Sequence, residues 1–232
     1  MWRLHFWVFS VIIRYRQSER MKIMRYGNVL ILGDSYSTFD GMIPEGYEIY
    51  YPKVKEGICV DICTKTWWGG LLEETGDTLV FNSSYGGTTF CHTGYNGEDC
   101  SHKSFITRMD ALIADGFFKV NQIDTMFIFG GTNDSWANSP VGQVQYAGWK
   151  KQDLYSTLPA FSYLLSAVKQ AGIANPIVLI NDILKPEIVR GMQEICDYYG
   201  VQYIQLVDIA KVDGHPNEIG MEQIKKQILA TF

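Results

Sequence analysis

"VLILGDSYSTFDG", Val29 to Gly41, is the stretch on which the fold of this chain turns. Four apolar residues, Val29 to Leu32, run without a break into Gly33, Asp34 and Ser35, and Tyr36, Ser37 and Thr38 continue the run of hydroxyls. A short apolar run closed by glycine and polar residues reads as a strand buried on both faces that ends in a sharp turn. The loop after it can cradle a phosphate, expose a nucleophilic serine, or only reverse the chain. Gly-Asp-Ser is a common turn tripeptide, so the rest of the sequence has to decide.

The strand has four counterparts. With Asn28–Leu32, the runs Thr78–Asn82, Thr125–Phe129, Pro176–Asn181 and Gln202–Val207 are apolar and bounded by turn residues, and none alternates cleanly. Helical spacing of apolar residues fills the intervals at 64–75, 104–115, 151–171, 186–199 and 217–230, as with Leu154, Leu158, Phe161, Leu165 and Val168. Strands alternating with helices predict a parallel sheet covered on both faces. The class is α/β: a flavodoxin-like three-layer α/β/α sandwich with a five-stranded parallel sheet. No repeat or linker interrupts residues 25–232, which read as one domain.

Composition narrows the function. The chain has 232 residues, 47% hydrophobic and 19% charged, with a net charge of −5. That is a globular composition, and it lacks the basic surface a general nucleic-acid binder needs. The five cysteines, Cys59, Cys63, Cys91, Cys100 and Cys196, are expected as reduced thiols of a cytoplasmic protein. A Cys91–Cys100 bridge would need an oxidising compartment. The Cys91-His92 and Cys100-Ser-His102 pairs lack zinc spacing, so neither metal nor cofactor is expected.

Residues 1–24 stand apart. "WRLHFWVFSVII" is apolar and "RYRQSER" is basic. Arginines occupy the place where a signal peptide carries small residues, and the run is too short to span a bilayer. The segment is read as a start set too far upstream, with Met21 or Met24 as the natural one, or as an extra packed element. A peripheral anchor is the third reading; membrane contact is not expected.

Parallel topology carries the polar ends of the strands to one edge of the sheet, where open α/β sheets place their ligands. Gly33-Asp34-Ser35 stands after the first strand, Asn82 through Gly87 after the second, Gly130 through Asp134 after the third, and "VDGHPN", Val212 to Asn217, before the last helix. Ser35 is a candidate nucleophile that needs a base, and His215 is the histidine placed to serve. Asp213 is the nearby carboxylate that can orient the imidazole. The N–H of Ser35, a loop glycine and the Asn133 amide can stabilise an oxyanion. Taken singly, each has a plain structural reading: a cap, a turn, a solvated histidine. Their co-occurrence in this order does not.

These four blocks resemble the SGNH (GDSL-type) hydrolase superfamily. "GDSYS" resembles the first block, with Ser35 as nucleophile. "NSSYGGTT" resembles the second, whose oxyanion glycine matches Gly87, with Gly86 as fallback. "GGTND" carries Asn133, and "DGHPN" carries His215. "GDSYSTFDGMIPEGY" and "GGTNDSW" are similar to a bacterial subgroup of uncharacterised SGNH hydrolases. The resemblance implies hydrolysis of a small-molecule ester through an acyl-enzyme. One position departs: the family's acid lies three residues before the histidine, where this chain has Val212. Either Asp213 reaches His215 across a tighter turn, or the enzyme is a Ser-His dyad oriented by a backbone carbonyl. Tyr36, Asp34 and Trp136 are expected at the substrate, an O-acetylated carbohydrate or similar small ester. The alternative is a non-catalytic glycan- or flavin-binding module on the same fold.

Overall fold

A computed structural model describes residues 25–231; the expectation for residues 1–24 lies outside the described residues. The first half of the chain gives β1 (Asn28–Gly33), α1 (Trp67–Thr75), β2 (Thr78–Ser84), α2 (Phe105–Ala114), α3 (Phe117–Val120) and β3 (Thr125–Gly130). The second half gives α4 (Thr132–Trp136), α5 (Thr157–Gln170), β4 (Asn175–Ile180), α6 (Pro186–Tyr199), β5 (Gln202–Gln205), a two-stranded hairpin of β6 (Lys211–Val212) and β7 (His215–Pro216), and α7 (Glu218–Thr231).

The five long strands form one parallel sheet in the order β2-β1-β3-β4-β5. Alternation along each strand sorts its side chains into two cores. Leu30, Leu32, Met126, Ile128, Val178 and Ile180 pack beneath α2, α5 and α6. Val29, Ile31, Phe127, Phe129, Ile177 and Leu179 pack beneath α1 and α7, against Trp67, Leu71, Ile224 and Ile228. This is the three-layer sandwich expected from the strand and helix pattern.

The boundaries moved in places. β2 extends to Ser84, because Gly33 and Ser84 stay in register at the end of the sheet. β5 stops at Gln205. The Gln227 side chain takes both backbone groups of Val207, accepting from its N–H at 3.0 Å and donating to its carbonyl at 2.8 Å, so that residue leaves the ladder. Three features were not anticipated: the short helices α3 and α4 and the β6–β7 hairpin. All five cysteines are free thiols.

The topological switch lies between β1 and β3, where successive connections leave the sheet centre in opposite directions. The crevice outside their carboxyl ends is the natural ligand position. Ser35 follows β1, Asn133 follows β3, and Gly87 follows the neighbouring β2.

Candidate active site

The turn after β1 is held from three sides. Asp34 Oδ1 accepts from the Tyr36 N–H at 2.9 Å and caps a single 3-10 turn, Ser35–Ser37. The Ser37 carbonyl accepts from Asn82 Nδ2 and Trp68 Nε1, each at 2.9 Å. Trp67 Nε1 donates to Ser37 Oγ at 3.1 Å. As the first residue of its turn, Ser35 has an N–H with no acceptor in the turn. That leaves a fixed serine with a donor beside its hydroxyl.

His215 is brought to it by the β6–β7 hairpin. Ser35 Oγ and His215 Nε2 lie 2.9 Å apart, and His215 Nδ1 lies 3.2 Å from the Asp213 carbonyl oxygen. A carbonyl can only accept, so Nδ1 carries the proton and Nε2 presents its lone pair to the serine. Burial pushes the imidazole below the ordinary histidine value; the nearby Lys53 charge adds to this, and the Asp213 contacts oppose it. This favours the neutral ring, the form a base needs.

The Asp213 carboxylate does not reach the ring. It pairs with Lys55 on the surface, where it is 63% exposed. Asp213 and Gly214 are the two central residues of the hairpin, with φ of +50° and +77°. Positive φ at both positions is the mark of a type I′ turn, and Asp-Gly is one of its preferred pairs. Of the two readings of this loop, the tighter turn is present but carries the carboxylate to Lys55, and it is the Asp213 backbone carbonyl that meets His215. Glycine is needed at 214 for a second reason: a Cβ there would lie 2.9 Å from the Trp136 ring.

The oxyanion candidates converge from the other side. The Gly86 N–H is spent on the Glu48 carbonyl at 2.9 Å, which discounts Gly86 as the fallback donor. Gly87 (φ +72°) has open space where a Cβ would project, and both it and Asn133 line the cleft. Asn133 Nδ2 donates to the Thr88 carbonyl at 3.0 Å, and its Oδ1 accepts from Tyr95 Oη at 2.7 Å. The second N–H of the amide remains for a ligand.

Buried charge underlies this loop. Arg108, 4% exposed, donates to the carbonyls of Ser83, Gly33 (3.1 Å) and Lys103 (3.2 Å), and to Thr88 Oγ1 at 3.1 Å. It thus ties the ends of β1 and β2 to the residue beside Gly87; burial lowers its guanidinium to about 10. The Asp134 carboxylate accepts from the Phe90 N–H at 2.9 Å, and burial pushes its acid form up to about 6. Burial pushes Asp34 to about 7, against the lowering influence of the Tyr36 N–H and Arg108.

Ser35, Gly87, Asn133 and His215 share a cleft of about 320 Å³ walled by Glu48, Ile49, Tyr50, Tyr95 and Trp136. Of the residues expected at the substrate, Trp136 lines it. Asp34 and Tyr36 do not: both are fully buried, Asp34 as the cap of the turn and Tyr36 donating its hydroxyl to the Gly214 carbonyl. A larger groove of about 560 Å³, between α7 and residues 64–66, contains no nucleophile-base pair. Tyr95 and Arg108 were missed as site residues; the partners that place them lie elsewhere in the sequence and no local pattern marks them. The hairpin did leave a signal, the Asp-Gly pair at 213–214.

The family model for GDSL-like lipase/acylhydrolase matches residues 27–232. The chain belongs to that family. By this membership it is an ester hydrolase acting on a small-molecule ester. The crystal structure of a protein described as a GDSL-like lipase from Bacteroides uniformis is 43% identical, with a TM-score of 0.81, over 89% of this chain and 95% of that one. One from Bacteroides ovatus, of the same description, is 40% identical, with a TM-score of 0.81, over 89% and 97%. A carbohydrate acetylesterase from Sinorhizobium meliloti shares the fold at 14% identity, with a TM-score of 0.56, over 89% and 100%. A search of curated proteins returns no match.

Proposed function

We propose that this family member is a serine esterase that removes small acyl groups through an acyl-enzyme, with an O-acetylated carbohydrate as the best-fitting substrate. The observation that carries the reading is the 2.9 Å contact between Ser35 Oγ and His215 Nε2, with the Nδ1 proton committed to a carbonyl. Ser35 Oγ attacks the ester carbonyl carbon while its proton passes to Nε2. The oxyanion is met by the N–H groups of Ser35, Gly87 and Asn133. Collapse breaks the bond to the alkoxide, which takes the proton from Nε2. Water, deprotonated by the same nitrogen, then attacks the acyl-serine and releases the acid.

Cleft size and walls support the substrate class. About 320 Å³ suits a short acyl group and part of its alcohol. The partly exposed rings of Trp136 and Tyr95, each 39% exposed, offer flat faces on which a sugar can stack. That a carbohydrate acetylesterase uses the same fold is consistent with this. The test is a panel of p-nitrophenyl esters of increasing chain length beside acetylated sugars. The expected result is highest kcat/KM on acetyl esters, falling as the chain lengthens, with acetate released from the sugars. A preference for long acyl chains would refute the substrate assignment.

A further inference from the structure

With no carboxylate at its Nδ1, the imidazole of His215 needs another constraint, because a single hydrogen bond to a carbonyl leaves the ring free to rock. The segment Tyr50-Tyr51, in the long loop between β1 and α1, supplies one. The Tyr50 ring lies flat on the imidazole, 3.6 Å between centroids and 8° between planes. Its N–H donates to Thr38 Oγ1 at 2.9 Å, and Thr38 Oγ1 donates to the Ser35 carbonyl at 3.1 Å. The next residue, fully buried Tyr51, donates its hydroxyl to the Pro216 carbonyl at 2.5 Å. One dipeptide is thus fastened to the nucleophile's turn and to the histidine's strand.

We infer that Tyr50-Tyr51 is a positioning unit that holds His215 against Ser35, taking over the orienting part of the role an acid fills elsewhere in the family. Tyr50 fixes the ring plane by stacking, and Tyr51 fixes the strand that carries it. The inference rests on the Ser35–His215 reading above. Lys53 Nζ sits 3.7 Å from the Tyr50 ring centroid. One face of that ring is covered by the imidazole, so the ammonium occupies the other. The groups around His215 are Tyr36, Tyr50, Lys53, Glu48 at the cleft wall, and Asp213 with its partner Lys55. Of these, Lys53 is the cation with no carboxylate paired to it among the described residues, and it opposes a positive charge on the imidazole.

The test compares Tyr50→Leu, Tyr50→Phe and Lys53→Met with wild type and His215→Ala on p-nitrophenyl acetate. A misplaced base costs up to about 10²-fold. Tyr50→Leu should therefore lower kcat at least about tenfold with a smaller change in KM, and Tyr50→Phe, which keeps the ring, should restore most of the loss. Lys53→Met should move the acidic limb of the kcat/KM profile to higher pH, since it removes a charge that disfavours imidazolium. Tyr50→Leu that changes KM alone, or a Lys53→Met profile that does not move, overturns the inference. Should Tyr50→Leu fail to fold, Tyr51→Phe decides: it removes only the hydroxyl bonded to the Pro216 carbonyl, and an unchanged kcat there overturns the inference. Full activity in His215→Ala would instead overturn the underlying reading.

Discussion

His215 takes its Nδ1 partner from the backbone of Asp213, while the Asp213 carboxylate turns away to Lys55. The same residue thus contributes a hydrogen bond to the histidine through an atom that no substitution of its side chain removes. An exposed ion pair of this kind contributes little to stability.

Asp213→Asn should leave kcat within about threefold of wild type. Asparagine tolerates the left-handed conformation and keeps the carbonyl in place. Loss of a genuine triad acid costs about 10⁴ in turnover in a serine protease of another fold. Steady-state kinetics on folded variant distinguishes the two outcomes, and a loss above a hundredfold would restore Asp213 as the orienting acid.

Asn133→Ala should lower kcat by about 10²–10³, the usual effect of removing one oxyanion donor. Tyr95 donates to Asn133 Oδ1 and so turns Nδ2 toward the cleft. Tyr95→Phe should cost several-fold in kcat alone and almost nothing once Asn133 is alanine. A double-mutant cycle reads this coupling, and additive effects would show that Tyr95 acts separately.

Much of this site was legible in the sequence, and the reason is geometric. Ser35, Gly87 and Asn133 each sit a few residues past the end of a strand, so locating the strands located them. His215 was found by elimination and by the turn residues around it. The Asp213 carboxylate was misjudged because a tight turn was expected to bring it to the imidazole, whereas the Asp-Gly reversal leaves it on Lys55. Tyr36 was misplaced because an aromatic hydroxyl beside the nucleophile suits a cleft and a core equally well; its ring packs edge-on to Phe129. The contacts of Tyr50 with His215, Tyr95 with Asn133 and Arg108 with Thr88 join residues 165, 38 and 20 positions apart, and no periodicity encodes such pairs.

Asp34 should make stability depend on pH. Its acid form is favoured in the native state up to about 7, against about 3.9 in an unfolded chain. The native carboxyl therefore binds its proton more tightly. That contribution is complete below the unfolded value and is lost as pH rises through 7. Asp34→Asn cannot ionise, so its Tm relative to wild type should be higher at pH 8 than at pH 5. A pH-independent difference in thermal melts would contradict the assignment.

Arg108→Met should destabilise the fold by roughly 3 kcal/mol or more, because several buried acceptors would lose their donor at once. Arg108→Lys should recover only part of this, since an ammonium lacks the fork that spans Gly33, Ser83 and Thr88. Urea unfolding of both variants measures the effect, and wild-type stability in either would contradict the role.

The most direct test of the Ser35–His215 mechanism is to trap the acyl-enzyme. The protein is mixed briefly with p-nitrophenyl acetate, quenched in acid and digested, and its peptides are examined by mass spectrometry. The expected result is an acetyl group on Ser35, absent in Ser35→Ala and accumulating at low pH where His215 is protonated and deacylation slows. Acetylation confined to another residue, or undiminished ester turnover by Ser35→Ala, would contradict it.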